Sequence, residues 1–335
     1  MSKKPVTALV MHPVVRDEML TPTHISRLDE ACTLLQPVPC ADFDALPGAG
    51  ADAEILMTSW GCPTLDDERL ATMPRLRLIA HLGGSVKGFI GETAWRRRIS
   101  VINCVAANAV PVAEYTLAAI LFSGKRVFDL SRHYAAHKEN RAPWTREAPN
   151  GGNYGKTVGI VGASHVGRAV MELLKHHDFE VLLYDPHVSP LQARHLGTDK
   201  VSLTDLLARS DVVSLHPPLL PETHHMIGAR ELMLMRDDAT LINTARGAIV
   251  DADALLAELR SGRLHAVLDT TEPDVPPPDS PLYTLPNVFL TPHIAGSMGN
   301  ETFRLADDLI KNVCDYVDGR VLKNTVKLDE LSRSA

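Results

Sequence analysis

The stretch TVGIVGASHVGRAVMELLKHHDFEVLLYD, residues 157–185, decides the fold. Thr157 to Val161 is a short run rich in β-branched residues and reads as a buried strand. Gly162 to Gly167 then reads as a tight turn, Val166 to Lys175 as a helix and Val181 to Tyr184 as a second strand, which makes a βαβ unit. The turn Gly162-Ala163-Ser164-His165-Val166-Gly167 approximates G-x-G-x-x-G, in which the glycines permit the tight turn, the approach of a pyrophosphate and helix packing. Ser164 stands where the second glycine belongs. An ordinary strand-to-helix turn can show an imperfect fingerprint too, but the setting between strand and helix favours a dinucleotide. Asp185 ends the second strand about 20 residues on, where a carboxylate can accept hydrogen bonds from ribose hydroxyls and repel a 2′-phosphate. An Asp before Pro186 can equally be a turn former, yet both signals agree in register. No arginine lies in Pro186 to Leu191, which favours NAD over NADP.

Outward from this unit, Val212 to Leu215, Thr240 to Asn243, Ala266 to Leu268 and Val288 to Leu290 are further buried-strand candidates with helical stretches between most of them. On the N-terminal side, Val6 to Val10, Ile55 to Thr58, Leu76 to His81 and Ser100 to Ile102 are short apolar runs separated by helix-compatible segments. Strands alternating with helices predict an α/β protein with doubly wound parallel sheets. Val112 to Lys138 carries few breakers and reads as one long helix, leading into a loop rich in Pro, Asn and Gly from Ala142 to Gly155. That arrangement is expected at a crossing between domains. Pro273 to Pro281 reads as a rigid loop.

A chain of 335 residues, 45% hydrophobic and 22% charged, is long enough for two domains and excludes a disordered protein. The five cysteines are scattered without a C-x-x-C pair, so neither a disulfide framework nor a zinc knuckle is expected, and a cytoplasmic setting fits. The formal charge of −7, with no basic run beyond Arg96-Arg97-Arg98, gives no footprint for nucleic acid. The N-terminal apolar stretch is too short for a signal or a span, and no other segment is expected to cross a membrane.

Three stretches carry a more specific signal: Asp211 to Gly228 (DVVSLHPPLLPETHHMIG), Leu241 to Asp251 (LINTARGAIVD) and Asn287 to Gly296 (NVFLTPHIAG). With Gly162 to Gly167, Ala80 to Val86 (AHLGGSV) and Val112-Ala113-Glu114, they resemble, in order, the signatures of the D-2-hydroxyacid dehydrogenase family. The resemblance implies an NAD-binding Rossmann domain, residues 107–296, inserted into a flavodoxin-like substrate domain formed by residues 1–106 and 297–335. It implies NAD as cofactor, a small 2-oxo or D-2-hydroxy acid as substrate, no metal, and a homodimer. Because the chain ends at Ala335, no regulatory domain of the kind some relatives append is expected.

Matched position by position, Arg246 corresponds to the arginine that grips a carboxylate and polarises the 2-oxo group. His293 corresponds to the general acid/base. The family's carboxylate that hydrogen-bonds this histidine falls, by count from Asp269 in D-T-T-E-P-D, on Asp274, with Glu272 as the alternative. Asp269 corresponds to the residue that holds the nicotinamide carboxamide. Gly162, Ser164, His165, Val166, Gly167, Asp185, His216, Thr223, Thr244, Ala245 and Gly296 complete the implied cofactor set. Gly83, Gly84 and Ser85 match the loop that cradles the substrate carboxylate, with Ser85 replacing a usual glycine and Lys87 a usual aspartate. His133 and His137 are spaced for one helical face but lack an H-E-x-x-H glutamate. The adjacent pairs His176-His177 and His224-His225 are expected to point apart as surface or cap residues, and Cys62 to be a structural thiol. A second class of function, an NAD-sensing protein of the same fold acting as a corepressor-like partner, is set against the enzyme by the presence of both Arg246 and His293.

Overall fold

The computed structural model describes residues 3–36, 38–136, 138, 148 and 150–331. The chain divides into two compact units, Met1–Asn108 with Ser297–Ala335, and Ala109–Gly296.

The first unit holds five parallel strands, β1 (Val6–Val10), β2 (Thr33–Leu34), β3 (Ile55–Ser59), β4 (Leu78–Leu82) and β5 (Ser100–Asn103), in the order β2-β1-β3-β4-β5. Both β3 and β4 are buried at every residue. That is why they read as continuous apolar runs rather than alternating ones. On one face Leu9, Met57, Leu78 and Leu82 pack with Leu28 and with Leu305, Leu309 and Val313 of the helix Thr302–Val317, which returns the chain's end to this unit. On the other face Leu56, Ile79 and Val101 pack with Phe43, Leu65 and Leu70.

The second unit holds seven parallel strands, β6 (Thr157–Val161), β7 (Glu180–Tyr184), β8 (Asp199–Lys200), β9 (Val212–Leu215), β10 (Thr240–Asn243), β11 (His265–Leu268) and β12 (Val288–Leu290). Their order is β12-β11-β10-β9-β6-β7-β8, and every pairing is parallel. The strand order reverses at β6, which has β7 on one side and β9 on the other. In open sheets of this kind ligands bind outside the carboxyl ends of the strands at that reversal.

Sequence pattern located all but two strands. The exceptions, β2 and β8, are two-residue edge strands, too short to show a period. The long helix expected over Val112 to Lys138 is two helices, Val105–Gly124 and Val127–Ala136, broken where Arg126 takes a left-handed φ of +55°. Its start is also earlier than expected, because Pro111 sits inside the helix rather than ending it. Among the described residues this 20-residue helix is long and apolar enough to cross a membrane by length and composition, which corrects the reading that no segment approaches a span. Ala113, Ala119 and Ile120 belong instead to the core beside β6. Most of the loop 142–155 before Asn150 lies outside the described residues, as does His137.

Candidate active site

The turn after β6 is built so that only glycine fits at its two ends. Gly162 has a φ of +92°, and a Cβ there would lie 2.7 Å from the Pro217 nitrogen and 2.9 Å from the His216 carbonyl carbon. At Gly167 a Cβ would lie 2.1 Å from the Gly162 oxygen. Ser164 replaces the middle glycine at no conformational cost, since its φ is −64°, and it caps the helix His165–Leu174 by accepting from the Gly167 N–H at 3.3 Å. The first-turn N–H groups of His165 and Val166 have no intrahelical acceptor, so the helix end favours an anion. Asp185 stands beside the turn, its Oδ2 accepting from the Ala163 N–H at 2.7 Å and its Oδ1 from the His187 N–H at 2.7 Å. A cradle that a Cβ would fill, a helix N-terminus and a carboxylate at the adjacent strand end fit a dinucleotide.

The other residues matched to cofactor binding line the same carboxyl edge. His216 follows β9 and is almost fully buried; its Nε2 meets the Ser214 hydroxyl at 2.9 Å, while its Nδ1 has no hydrogen-bond partner among the described residues. Burial pushes this histidine down to about 3, so the ring is neutral. Thr223 closes its own loop, accepting from the Leu220 N–H at 2.8 Å and donating to the Pro218 oxygen at 2.6 Å. Thr244 is buried against the Thr116 hydroxyl at 3.1 Å, and Ala245 donates its N–H to the Asn243 Oδ1 at 3.0 Å. Gly296 is half-buried where this unit ends.

Arg246 projects from the loop after β10. Its side chain is exposed, makes one hydrogen bond, to the Ala245 oxygen at 2.7 Å, and forms no ion pair among the described residues. An arginine tied down by a surface acid is therefore not what this loop holds. Asn243 shapes the loop by donating to the Arg246 carbonyl at 2.8 Å. Gly247 lets it approach the segment after β11, for a Cβ there would fall 2.0 Å from the Thr271 carbonyl carbon.

His293 follows β12 with a left-handed φ of +57°, a conformation that a non-glycine residue holds only when its surroundings enforce it. Asp269 supplies the enforcement. Its Oδ1 accepts from the Thr291 hydroxyl at 2.7 Å and the Ile294 N–H at 2.8 Å, and its Oδ2 from the Ala295 N–H at 2.9 Å. The Tyr115 hydroxyl meets the Thr291 hydroxyl at 2.7 Å, extending the network. Asp269, matched in sequence to a cofactor contact, thus clamps both sides of His293.

Asp274 makes no hydrogen bond to His293: its carboxylate is exposed and bonds to nothing among the described residues. The Thr271 hydroxyl donates to the Pro273 and Asp274 carbonyls at 2.7 and 3.1 Å, curling the segment on itself, and an aspartate is a methylene shorter than the glutamate the family carries. Glu272 is turned elsewhere, to the His225 Nε2 at 2.9 Å. Nor do His224 and His225 point apart. A left-handed φ of +51° at His225 folds the two rings face to face, with centroids 3.9 Å apart.

In the first unit, Gly83, Gly84 and Ser85 follow β4. His81 lies beneath them, its Nδ1 2.9 Å from the Thr58 hydroxyl, and a Cβ on Gly83 would meet its Nε2 at 2.6 Å. Burial pushes His81 down to about 4. Ser85 accepts from the Lys87 N–H at 3.2 Å, and Gly84 has open space around it. Burial pushes the Cys62 thiol up to about 12, so it is no nucleophile. Asn243, Thr116, Tyr115 and His81 are not among the sites expected from sequence. Asn243 and His81 had a signal, their places inside the stretches Leu241 to Asp251 and Ala80 to Val86.

Residues 117–295 match the family described as D-isomer specific 2-hydroxyacid dehydrogenase, NAD binding domain. The chain is 34% identical to a glyoxylate reductase of Aeropyrum pernix over 87% of each protein. It is 32% identical to a D-3-phosphoglycerate dehydrogenase of Mycobacterium leprae over 86% of this chain, but spans only about half (54%) of that relative's length. A crystal structure of D-lactate dehydrogenase from Aquifex aeolicus, complexed with NAD and lactic acid, superposes with a TM-score of 0.68 at 27% identity, covering 94% of this chain and 96% of that one. Together with the glycine turn, Arg246 and the clamped His293 loop, these likenesses show that the chain belongs to the D-isomer specific 2-hydroxyacid dehydrogenase family.

Proposed function

We propose that this protein is an NAD-dependent oxidoreductase that interconverts a small 2-oxo acid and the D-2-hydroxy acid. The observation that carries this reading is the pairing, on one sheet edge, of an arginine without an acidic partner among the described residues and a histidine whose strained backbone is held from both sides by Asp269. When bound, the nicotinamide supplies or accepts the hydride. The Gly162–Gly167 turn and the N-terminus of the helix His165–Leu174 hold the pyrophosphate, and Asp185 accepts from the adenosine ribose, so NAD is preferred over NADP. Arg246 binds the substrate carboxylate and draws charge onto the carbonyl oxygen. His293 donates a proton to that oxygen in reduction and removes it in oxidation. The exposed Asp274 carboxylate takes part only if its segment moves toward His293.

Other properties belong to the same reading. The apolar helix Val105–Gly124, with Val110 and Phe122 exposed, supports a homodimer. Five free cysteines support a cytoplasmic setting. The test is a panel of 2-oxo acids, including glyoxylate, hydroxypyruvate and pyruvate, assayed with NADH and with NADPH. Turnover with at least one acid and a higher kcat/KM with NADH are expected. No turnover on any acid despite tight NADH binding would overturn the enzymatic reading, and a higher kcat/KM with NADPH would overturn the role of Asp185.

A further inference from the structure

The loop between β9 and the helix Ala229–Leu234 carries His224 and His225, and the segment leaving β11 carries Glu272. These three side chains lie together on the surface of the second unit, outside the residues assigned to cofactor and substrate. One ligand atom from each lies within 4.8 Å of the other two. The His225 Nε2 is 2.9 Å from the Glu272 carboxylate, and the imidazole rings are inclined by only 29°. Neighbouring residues normally send their side chains in different directions. Here the left-handed backbone of His225 brings both rings to one side.

We propose that His224, His225 and Glu272 form a binding site for a divalent transition-metal ion of the zinc class. Two imidazole nitrogens with one carboxylate oxygen are a donor set that suits zinc and its neighbours and disfavours calcium or magnesium, which take oxygen ligands. Three protein ligands leave a coordination position for water. Among the described residues the Glu272 carboxylate has no Lys or Arg partner, so no fixed cation competes for it.

The two backbone segments are already tied down, which lowers the cost of gathering the donors. The His225 N–H donates to the Ala248 oxygen at 2.8 Å and the Ile227 N–H to the Ile249 oxygen at 3.2 Å. The other segment is packed on Gly247 at a distance that excludes any side chain there. The ligand segments therefore hold the Arg246-Gly247-Ala248 loop from both sides. A metal ion joining His224 and His225 to Glu272 would take the place of the His225–Glu272 hydrogen bond and brace that loop.

The experiment uses the full chain without a histidine tag, and Zn²⁺ and Co²⁺ as probes. Isothermal titration should show one Zn²⁺ bound per chain at micromolar concentration or below. Co²⁺ should give a visible d–d absorption band, and saturating Zn²⁺ should raise the Tm. His224→Ala and Glu272→Gln should each weaken Zn²⁺ binding at least tenfold and abolish the Co²⁺ band, with unchanged circular dichroism. Absence of saturable binding by the wild type would overturn the proposal. So would binding that persists unchanged in both variants, which would place the ion on other histidines. Neither readout depends on turnover, so the proposal and the dehydrogenase reading can fail separately.

Discussion

The carboxyl edges of the two sheets hold their loops by different means. In the first unit the loop Gly83–Ser85 rests on a buried histidine, His81, with its first carbonyl accepting from the Cys104 N–H at 2.9 Å, and Gly84 stands in open space. In the second, the loops after β10, β11 and β12 are tied to one another: Gly247 against Thr271, Asp269 to the amides around His293, Asn243 to the Arg246 carbonyl. A propped loop tolerates change at its tip. A mutually bonded set fixes its side chains in relation to each other, which proton transfer and carbonyl polarisation require.

The largest effects should come from the second edge. Arg246→Ala and His293→Asn should each lower kcat/KM by about 10² to 10⁴-fold, the range for a lost general acid or charge-stabilising donor, with little change in Tm because both side chains are exposed. A loss below tenfold in either would break the contrast between the edges.

Next come two glycines, one from each edge. Gly247→Ala forces a Cβ into the Thr271 backbone and should cost about 3 kcal/mol or more in unfolding free energy, whereas Gly84→Ala should stay within about 0.5 kcal/mol. Equal costs in denaturant titration would show that the second edge is no more tightly bound than the first.

Asp185→Ala should raise the KM for NADH about ten- to a hundredfold, from loss of charge-assisted hydrogen bonds worth about 1.5 to 3 kcal/mol, while kcat changes less. The Ala163 N–H also loses its acceptor, so a modest drop in Tm is expected alongside.

The last effect concerns pH and distinguishes the edges least. His81 and His216 are pushed down by burial to about 4 and about 3, below the usual value near 6.5. The folded protein therefore keeps both neutral while the unfolded chain takes up protons. Neither contributes to the pH dependence above pH 6.5. As pH falls from 6.5 toward 4, each withdraws stability at up to about 1.4 kcal/mol per pH unit. His81→Gln and His216→Gln should each flatten the fall in Tm across that window, and an unchanged slope in either would refute its neutral burial.

Much of the second unit was legible in sequence because its elements are local. The β-branched run at Thr157, the glycines at 162 and 167 and the Asp at a strand end each encode a short backbone conformation. What escaped depends on contacts between distant segments. The amides that donate to Asp269 lie more than twenty residues away, and the curl imposed by the Thr271 hydroxyl moves Asp274 away from the place that counting residues gives it. The break at Arg126 and the folding of His225 onto His224 rest on left-handed residues that are not glycine, for which sequence carries little signal. In the first unit the main strands were legible from their apolar runs, but a neutral histidine under Gly83 was not, since only packing shows which ring is buried.

The most direct test of hydride transfer at this edge uses NADH carrying deuterium at the nicotinamide C4 and whichever 2-oxo acid the panel selects. Mass spectrometry and chiral chromatography should find a D-2-hydroxy acid with deuterium at carbon 2 from the wild type, and at least a hundredfold less labelled product from His293→Asn at equal protein and time. An unlabelled product, an L isomer, or full labelling by the variant would contradict the assignment.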